Sequence, residues 1–129
     1  MIAVDTNVLV RLLTRDDEEQ FRKAFALIAR NEIFIPESVI LETEWVLRYA
    51  YDFPPAAIHD ALAKTLGLPK VKTARPGVVA QAIDLARQGL DFADALHLAA
   101  SHECSEFATF DAAFIKRAKG LTDCKVRKP

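Results

Sequence analysis

Short apolar runs alternate with longer segments of helical periodicity along this chain, and the alternation predicts an α/β protein. Apolar runs predict strands over residues 2–4, 32–35 and 107–110, with marginal strands at 71–73 and 124–126. Between them the pattern predicts seven helices, over residues 6–13, 16–30, 39–51, 56–66, 76–88, 91–102 and 111–119. Short strands that alternate with helices indicate a parallel sheet covered on both faces, with the first strand buried.

Composition is compatible with one domain over residues 1–129, since 51% of the residues are hydrophobic and only four are glycine. The net charge of −1 excludes a strongly basic nucleic-acid coat. The apolar runs are far shorter than the roughly 20 residues of a membrane helix, and no signal peptide is recognisable. Two cysteines, Cys104 and Cys124, without a CxxC motif, indicate a reduced, cytoplasmic protein without membrane association.

Acidic residues follow two of the predicted strands. Asp5 ends the first strand and Asp111 ends the strand over 107–110. Ligands of open α/β sheets bind outside the carboxyl ends of the strands, so both are candidate ligands. Aspartate is also a favoured helix N-cap, which is the alternative for each and the favoured interpretation of Asp91. Asp94, three residues after Asp91, precedes an apolar helix body and is the better candidate ligand of that pair.

The third predicted helix, opened by Glu37 or Ser38, contains the most informative acid. Glu44 has Arg48 four residues later, so an exposed ion pair accounts for it. Glu42 instead has Val39, Trp45 and Val46 at helical spacing, which predicts an apolar face. A carboxylate there is costly unless a positive group meets it. Four acids gathered in one crevice repel each other, and hard divalent cations such as Mg²⁺ or Mn²⁺ relieve that repulsion.

These acids lie in segments that together resemble the PIN-domain ribonucleases, and among them the VapC toxins of type II toxin–antitoxin pairs. The resemblance covers essentially the whole chain and rests on four motifs, IAVDTNVLV at the start, then ILETEWVL, DFADALHLA and ATFD. It implies a three-layer α/β/α PIN-like domain with a short central parallel sheet.

The resemblance also implies the roles of the site residues. The acidic metal-binding and catalytic cluster would consist of Asp5, Glu42, Asp94 and Asp111, with Asp5 and Asp94 as direct Mg²⁺ (or Mn²⁺) ligands. Supporting residues would be Thr6, Asn7, Asp91 and Thr109. The implied function is a Mg²⁺-dependent endoribonuclease toxin that hydrolyses RNA, is silenced by a cognate antitoxin and forms a homodimer. The alternative is a PIN-fold protein or RNA-binding module without nuclease activity.

Other polar and aromatic residues have two interpretations each. Phosphate contacts or ordinary surface charge account for Asn7, Arg11, Arg15, Lys116, Arg117 and Lys119. A groove for a partner helix or core packing accounts for Trp45, Tyr49, Tyr51 and Phe53. His97, three residues after Asp94, is better explained as a packed helix residue than as a participant.

Rival enzyme classes lack their motifs. A haloacid-dehalogenase-like phosphatase requires Asp-x-Asp, and the segment Asp5–Asn7 lacks the second aspartate. A receiver domain would require adjacent acids near the first strand and leaves Glu42 unexplained.

Overall fold

Parallel strand pairs organise each part of the molecule. The computed structural model describes residues 1–129, which divide into two compact units, Met1–Pro76 and Gly77–Pro129. None of the helices combines the length and the apolar character that crossing a membrane requires.

The first unit contains a three-stranded parallel sheet in the order β1-β2-β3. Its strands are β1 (Ile2–Ala3), β2 (Ile33–Phe34) and β3 (Val71–Lys72). Its helices are α1 (Thr6–Thr14), α2 (Glu18–Arg30), α3 (Glu37–Tyr49) and α4 (Pro55–Leu66). The register pairs Ile2 with Ile33 and Ile33 with Val71, so the carboxyl ends of all three strands lie at one edge.

The core of this unit forms where the helices pack on each other. Helix α1 packs against α2 and α3, and α3 packs against α4. The side chains that are almost fully buried there are Leu9, Ile33, Ile35, Ile40, Leu47, Ile58 and Leu62. The prediction that the first strand is buried is wrong for both residues of β1, Ile2 and Ala3, which are exposed, whereas Val4 is buried.

The second unit contains a two-stranded parallel sheet of β4 (Glu106–Ala108) and β5 (Lys125–Arg127). Its helices are α5 (Pro76–Arg87, in this unit from Gly77 onward), α6 (Phe92–Ala100) and α7 (Ala112–Ala118). The register pairs Glu106 with Lys125 and Phe107 with Val126. Its buried side chains include Val79, Ile83, Leu85, Ala95, Leu98, Ala99 and Phe114.

All seven predicted helices and all five predicted strands are present, with ends shifted by a few residues. Helix α3 begins at Glu37 after Pro36, so neither Glu37 nor Ser38 caps it. It ends at Tyr49, before Asp52, whose φ of 55° is left-handed and cannot continue a helix. The strands form two hydrogen-bonded sheets where the sequence predicted one central sheet.

Candidate functional site

Asp5 lies between β1 and α1, at the carboxyl end of the strand. Its backbone is extended (φ −87°, ψ 164°), and its carboxylate accepts a hydrogen bond from the backbone N–H of Thr6 at 2.6 Å. The residue is exposed and is the N-cap of α1. The cap interpretation is therefore confirmed. A carboxylate accepts several bonds, so capping leaves Asp5 able to bind another group.

Thr6 connects Asp5 to Glu42. The Thr6 side chain is buried, and its hydroxyl donates to the carboxylate of Glu42 on α3 while its own N–H donates to Asp5. Two of the four predicted acids, which are far apart in sequence, thus meet around one threonine. Asn7, the next residue, is exposed and lines a cleft of about 370 Å³ between α1 and α2.

Helix α3 buries the face opposite to the one that the sequence predicted to be buried. Its buried residues are Ile40, Thr43, Glu44 and Leu47, whereas Glu42 and Trp45 are exposed. The prediction that Glu42 lies on a buried apolar face is wrong. Apolar residues occur around most of this helix, so their spacing did not identify the buried side.

Glu44 is the buried acid of α3, with 3% exposure, so its predicted exposed pair is also wrong. Arg48 donates to both of its oxygens, at 2.9 and 3.0 Å, and this fork neutralises the buried carboxylate. Glu37 accepts two bonds from Arg75, at 2.9 and 2.6 Å, and this guanidinium holds the pKa of Glu37 below its ordinary value.

Two aspartates of the second unit cap helices. Asp91 accepts from the backbone N–H groups of Ala93 and Asp94, at 3.1 and 3.4 Å, at the start of α6. Asp111 accepts from the first turn of α7, at 2.9 and 3.1 Å. The hydroxyl of Thr109 accepts from the N–H of Asp111 at 3.1 Å, so the predicted threonine contact is made through the backbone.

Asp94 is partly buried, as is Asp91, whereas Asp111 is exposed. Burial raises the pKa of the Asp94 carboxyl, and the negative charges of Asp91 and Asp111 raise it further. The charges of His97 and Arg117 act in the opposite direction. The negative charges of Asp91 and Asp111 are thus near enough to Asp94 to disfavour the ionised form of its carboxyl.

His97 and Arg117 are the two basic residues that act electrostatically on Asp94. His97 is exposed, so the interpretation as a packed helix residue is wrong, and its spacing of three from Asp94 was the available signal. Arg117 belongs to an exposed basic group on and after α7, with Lys116 and Lys119.

Arg11 and Arg15, the basic residues at α1 for which phosphate contact was one interpretation, already have partners. Arg11 donates to Gln20 at 2.6 Å and to Tyr51 at 3.0 Å, and it pairs with Asp16. Arg15 pairs with Glu18 at 2.8 Å and lies over the ring of Phe21. The exposed group at α7 is therefore the better candidate for contact with a polyanion.

The donor chemistry of both units suits a hard divalent cation, because the predicted ligands are carboxylate oxygens. Asp5 and Glu42 belong to the first unit, whereas Asp94 and Asp111 belong to the second. Within neither unit do three carboxylate, imidazole or thiol side chains stand close enough to share one ion. A metal centre built from all four acids stays a prediction.

Comparison with known families gives one match. The model of the PIN domain family matches residues 2–120. No curated protein matches the chain. The match includes every predicted site residue, and together with the parallel strands it confirms the predicted PIN-like α/β/α fold class.

Proposed function

Because the chain belongs to the PIN domain family, whose members are generally nucleases, we propose that it is a Mg²⁺-dependent endoribonuclease. Its substrate would be the phosphodiester backbone of RNA, and Mn²⁺ would support the reaction in place of Mg²⁺. The observation that supports this most is the state of Asp94, a partly buried carboxylate repelled by Asp91 and Asp111. Repulsion between these carboxylates destabilises the folded protein, and a bound cation would offset it.

The four acids would divide the work of binding the ion. Asp5 and Asp94 would bind it directly, and Glu42 and Asp111 would complete the acidic set. A bound Mg²⁺ or Mn²⁺ would supply an activated water nucleophile and stabilise the negative charge that develops on the phosphodiester. Glu42 or Asp111 would accept the proton of that water.

The supporting residues would orient those acids. Thr6 donates to both Asp5 and Glu42, which restricts their side chains before an ion arrives. Thr109 holds the backbone of Asp111, and Asp91 holds the N–H of Asp94. Asn7, exposed on the first turn of α1, would contact the substrate phosphate.

We further propose that the protein is the VapC-type toxin of a type II toxin–antitoxin pair, acting in the cytoplasm. This rests on the resemblance of the motifs around Asp5, Glu42, Asp94 and Asp111. A cognate antitoxin would block the acidic crevice, and the toxin would form a homodimer. Co-expression with any short reading frame found adjacent to the gene tests the pairing, because an antitoxin encoded there would restore growth that the chain alone arrests.

A second candidate is a PIN-fold protein or RNA-binding module without nuclease activity. One observation favours it, since neither unit alone offers three ligands to one ion.

Incubation of the purified chain with RNA in Mg²⁺ or Mn²⁺, and then in EDTA, separates the two candidates. If the chain is a nuclease, EDTA should abolish cleavage. Asp94→Asn should lower the cleavage rate by more than the loss of about 10- to 100-fold that follows a change outside the set of metal ligands. Asp84→Asn is the matched control, because Asp84 is exposed on α5 and pairs with Arg87 at 3.7 Å. An inert wild-type chain that still binds RNA would establish the binding module instead.

A further inference from the structure

Trp45 and Tyr49 form an exposed aromatic pair on α3. Trp45 is 55% and Tyr49 62% exposed, and their ring centroids lie 5.1 Å apart with the planes inclined at 44°. The alternative that these two residues are core packing is wrong. Tyr51 differs from them, because its hydroxyl donates to Asp16 at 2.7 Å and accepts from Arg11.

We propose that Trp45 and Tyr49 form a stacking platform for the unpaired bases of single-stranded RNA next to the scissile phosphodiester. The proposal rests on the nuclease function proposed above and adds the residues that position its substrate.

Helical geometry places the platform beside a candidate catalytic acid. Trp45 follows Glu42 by three residues, about 4.5 Å along the helix axis, and Tyr49 follows it by seven, about 10.5 Å. Around the helix axis, Trp45 and Tyr49 are rotated from Glu42 by about −60° and −20°, so these three residues lie on one side of α3, which is exposed. Through Thr6, this side continues to Asp5 at the carboxyl end of β1. A strand whose phosphodiester lies at a cation held by Glu42 and the other acids would therefore lay its next bases over the rings.

The platform is held in place before substrate binds. The guanidinium of Arg48 lies 4.7 Å from the centroid of the Tyr49 ring and donates at 3.3 Å to its hydroxyl. The same guanidinium is anchored by its two bonds to buried Glu44. Restricting the Tyr49 ring in this way reduces the entropy lost when a base stacks on the pair.

Nucleobases fit this surface better than a protein partner because the pair is a small patch of π-faces beside Glu42, one of the acids proposed above to hold the cation. Every base presents a π-face, so stacking on aromatic rings binds single strands without requiring one sequence. Bases within a duplex are already stacked and unavailable. The platform consequently predicts a preference for single-stranded or looped RNA.

Fluorescence tests the contact directly, because Trp45 is the only tryptophan in the chain. A ten-nucleotide unstructured RNA with a non-hydrolysable backbone, titrated into the wild-type protein in Mg²⁺, should quench the Trp45 emission. The same strand annealed to its complement should quench it far less. Equal quenching by the duplex, or no quenching by the single strand, would overturn the platform.

Kinetics then separates stacking from chemistry. Trp45→Ala should raise the KM for single-stranded RNA by about 5- to 150-fold with kcat nearly unchanged, since the stack is equally present in ground and transition states. Trp45→Phe, which keeps a π-face, should recover part of the loss. Phe25→Ala is the matched control, because Phe25 is 57% exposed on α2 and should leave KM unchanged.

The outcomes distinguish this proposal from the nuclease proposal. If the wild type cleaves RNA and Trp45→Ala matches Phe25→Ala, the platform fails and the nuclease stands. If RNA quenches Trp45 but no metal yields cleavage, the nuclease fails and the binding surface stands. Should Trp45→Ala leave KM unchanged but turn a dimer into a monomer in sedimentation, the face is a subunit interface and the RNA assignment is overturned.

Discussion

The hydroxyl of Thr6 donates a hydrogen bond to the carboxylate of Glu42, and the two residues are 36 positions apart in sequence. Thr6 is buried, whereas Glu42 is exposed. The bond ties the first turn of α1 to α3 and joins the acid of the strand end to the acid of the helix. It is the contact that brings Glu42 close to Asp5 in the first unit.

Removing that donor tests its role. Thr6→Val keeps the shape of the side chain but loses the hydroxyl, so Glu42 is no longer oriented. We expect Mg²⁺ affinity and RNA cleavage to fall by about 10- to 100-fold, as for other outer-shell changes. Thr6→Ser should restore most of both, measured by calorimetric Mg²⁺ titration and cleavage rate. Wild-type Mg²⁺ binding in Thr6→Val would show that the bond is dispensable.

Asp94→Asn should stabilise the metal-free protein at neutral pH. The pKa of Asp94 is raised in the folded state, above its ordinary 3.8, so folding at higher pH costs free energy to keep the carboxylate charged. That cost disappears as the pH falls below 3.8, where both states are protonated. In thermal melts with EDTA, the Tm of Asp94→Asn should therefore be higher than that of the wild type at pH 7, and the two values should coincide near pH 3.

Added Mg²⁺ should then reverse the order in the same melts. Binding to the native state stabilises the wild type by an amount that rises with the logarithm of the Mg²⁺ concentration, whereas Asp94→Asn loses a ligand. The control Asp84→Asn should respond to Mg²⁺ like the wild type. If Mg²⁺ raises the Tm of Asp94→Asn as much as that of the wild type, Asp94 is not a ligand.

Glu37→Gln should destabilise the protein at pH 7 and not in acid. Arg75 lowers the pKa of Glu37 from its ordinary 4.5, so the contribution to stability is present above 4.5 and lost as the pH falls through the lowered folded value. Glu19, paired with Lys23 at 3.2 Å but 73% exposed, provides the comparison. Glu19→Gln should change Tm less at every pH. Equal effects of the two variants at pH 7 would contradict the role of the Glu37–Arg75 pair.

Arg48→Ala should be strongly destabilising because it leaves Glu44 buried without its guanidinium. Removing one partner of a buried pair costs about 3 to 5 kcal/mol, and urea unfolding measures this loss. Arg15→Ala, which removes an exposed partner of Glu18, should change the midpoint little. A small effect of Arg48→Ala would mean that water or another group reaches Glu44.

Local signals in the sequence determined the elements and the caps. Apolar runs, prolines and glycines located all the helices and strands, because backbone preference acts over a few residues. Asp5, Asp91 and Asp111 cap α1, α6 and α7, as their positions before helices predicted. The i, i+4 spacing of Glu44 and Arg48 also predicted their ion pair.

Only the tertiary structure decided which sides of these elements face solvent. On α3, apolar side chains surround the helix, so packing against α1 and α4 selected Glu44 for burial and left Glu42 and Trp45 exposed. Likewise both residues of β1, Ile2 and Ala3, are exposed, although their apolar run predicted a buried strand. Burial depends on neighbours that are distant in sequence, and the spacing of apolar residues within one segment does not identify those neighbours.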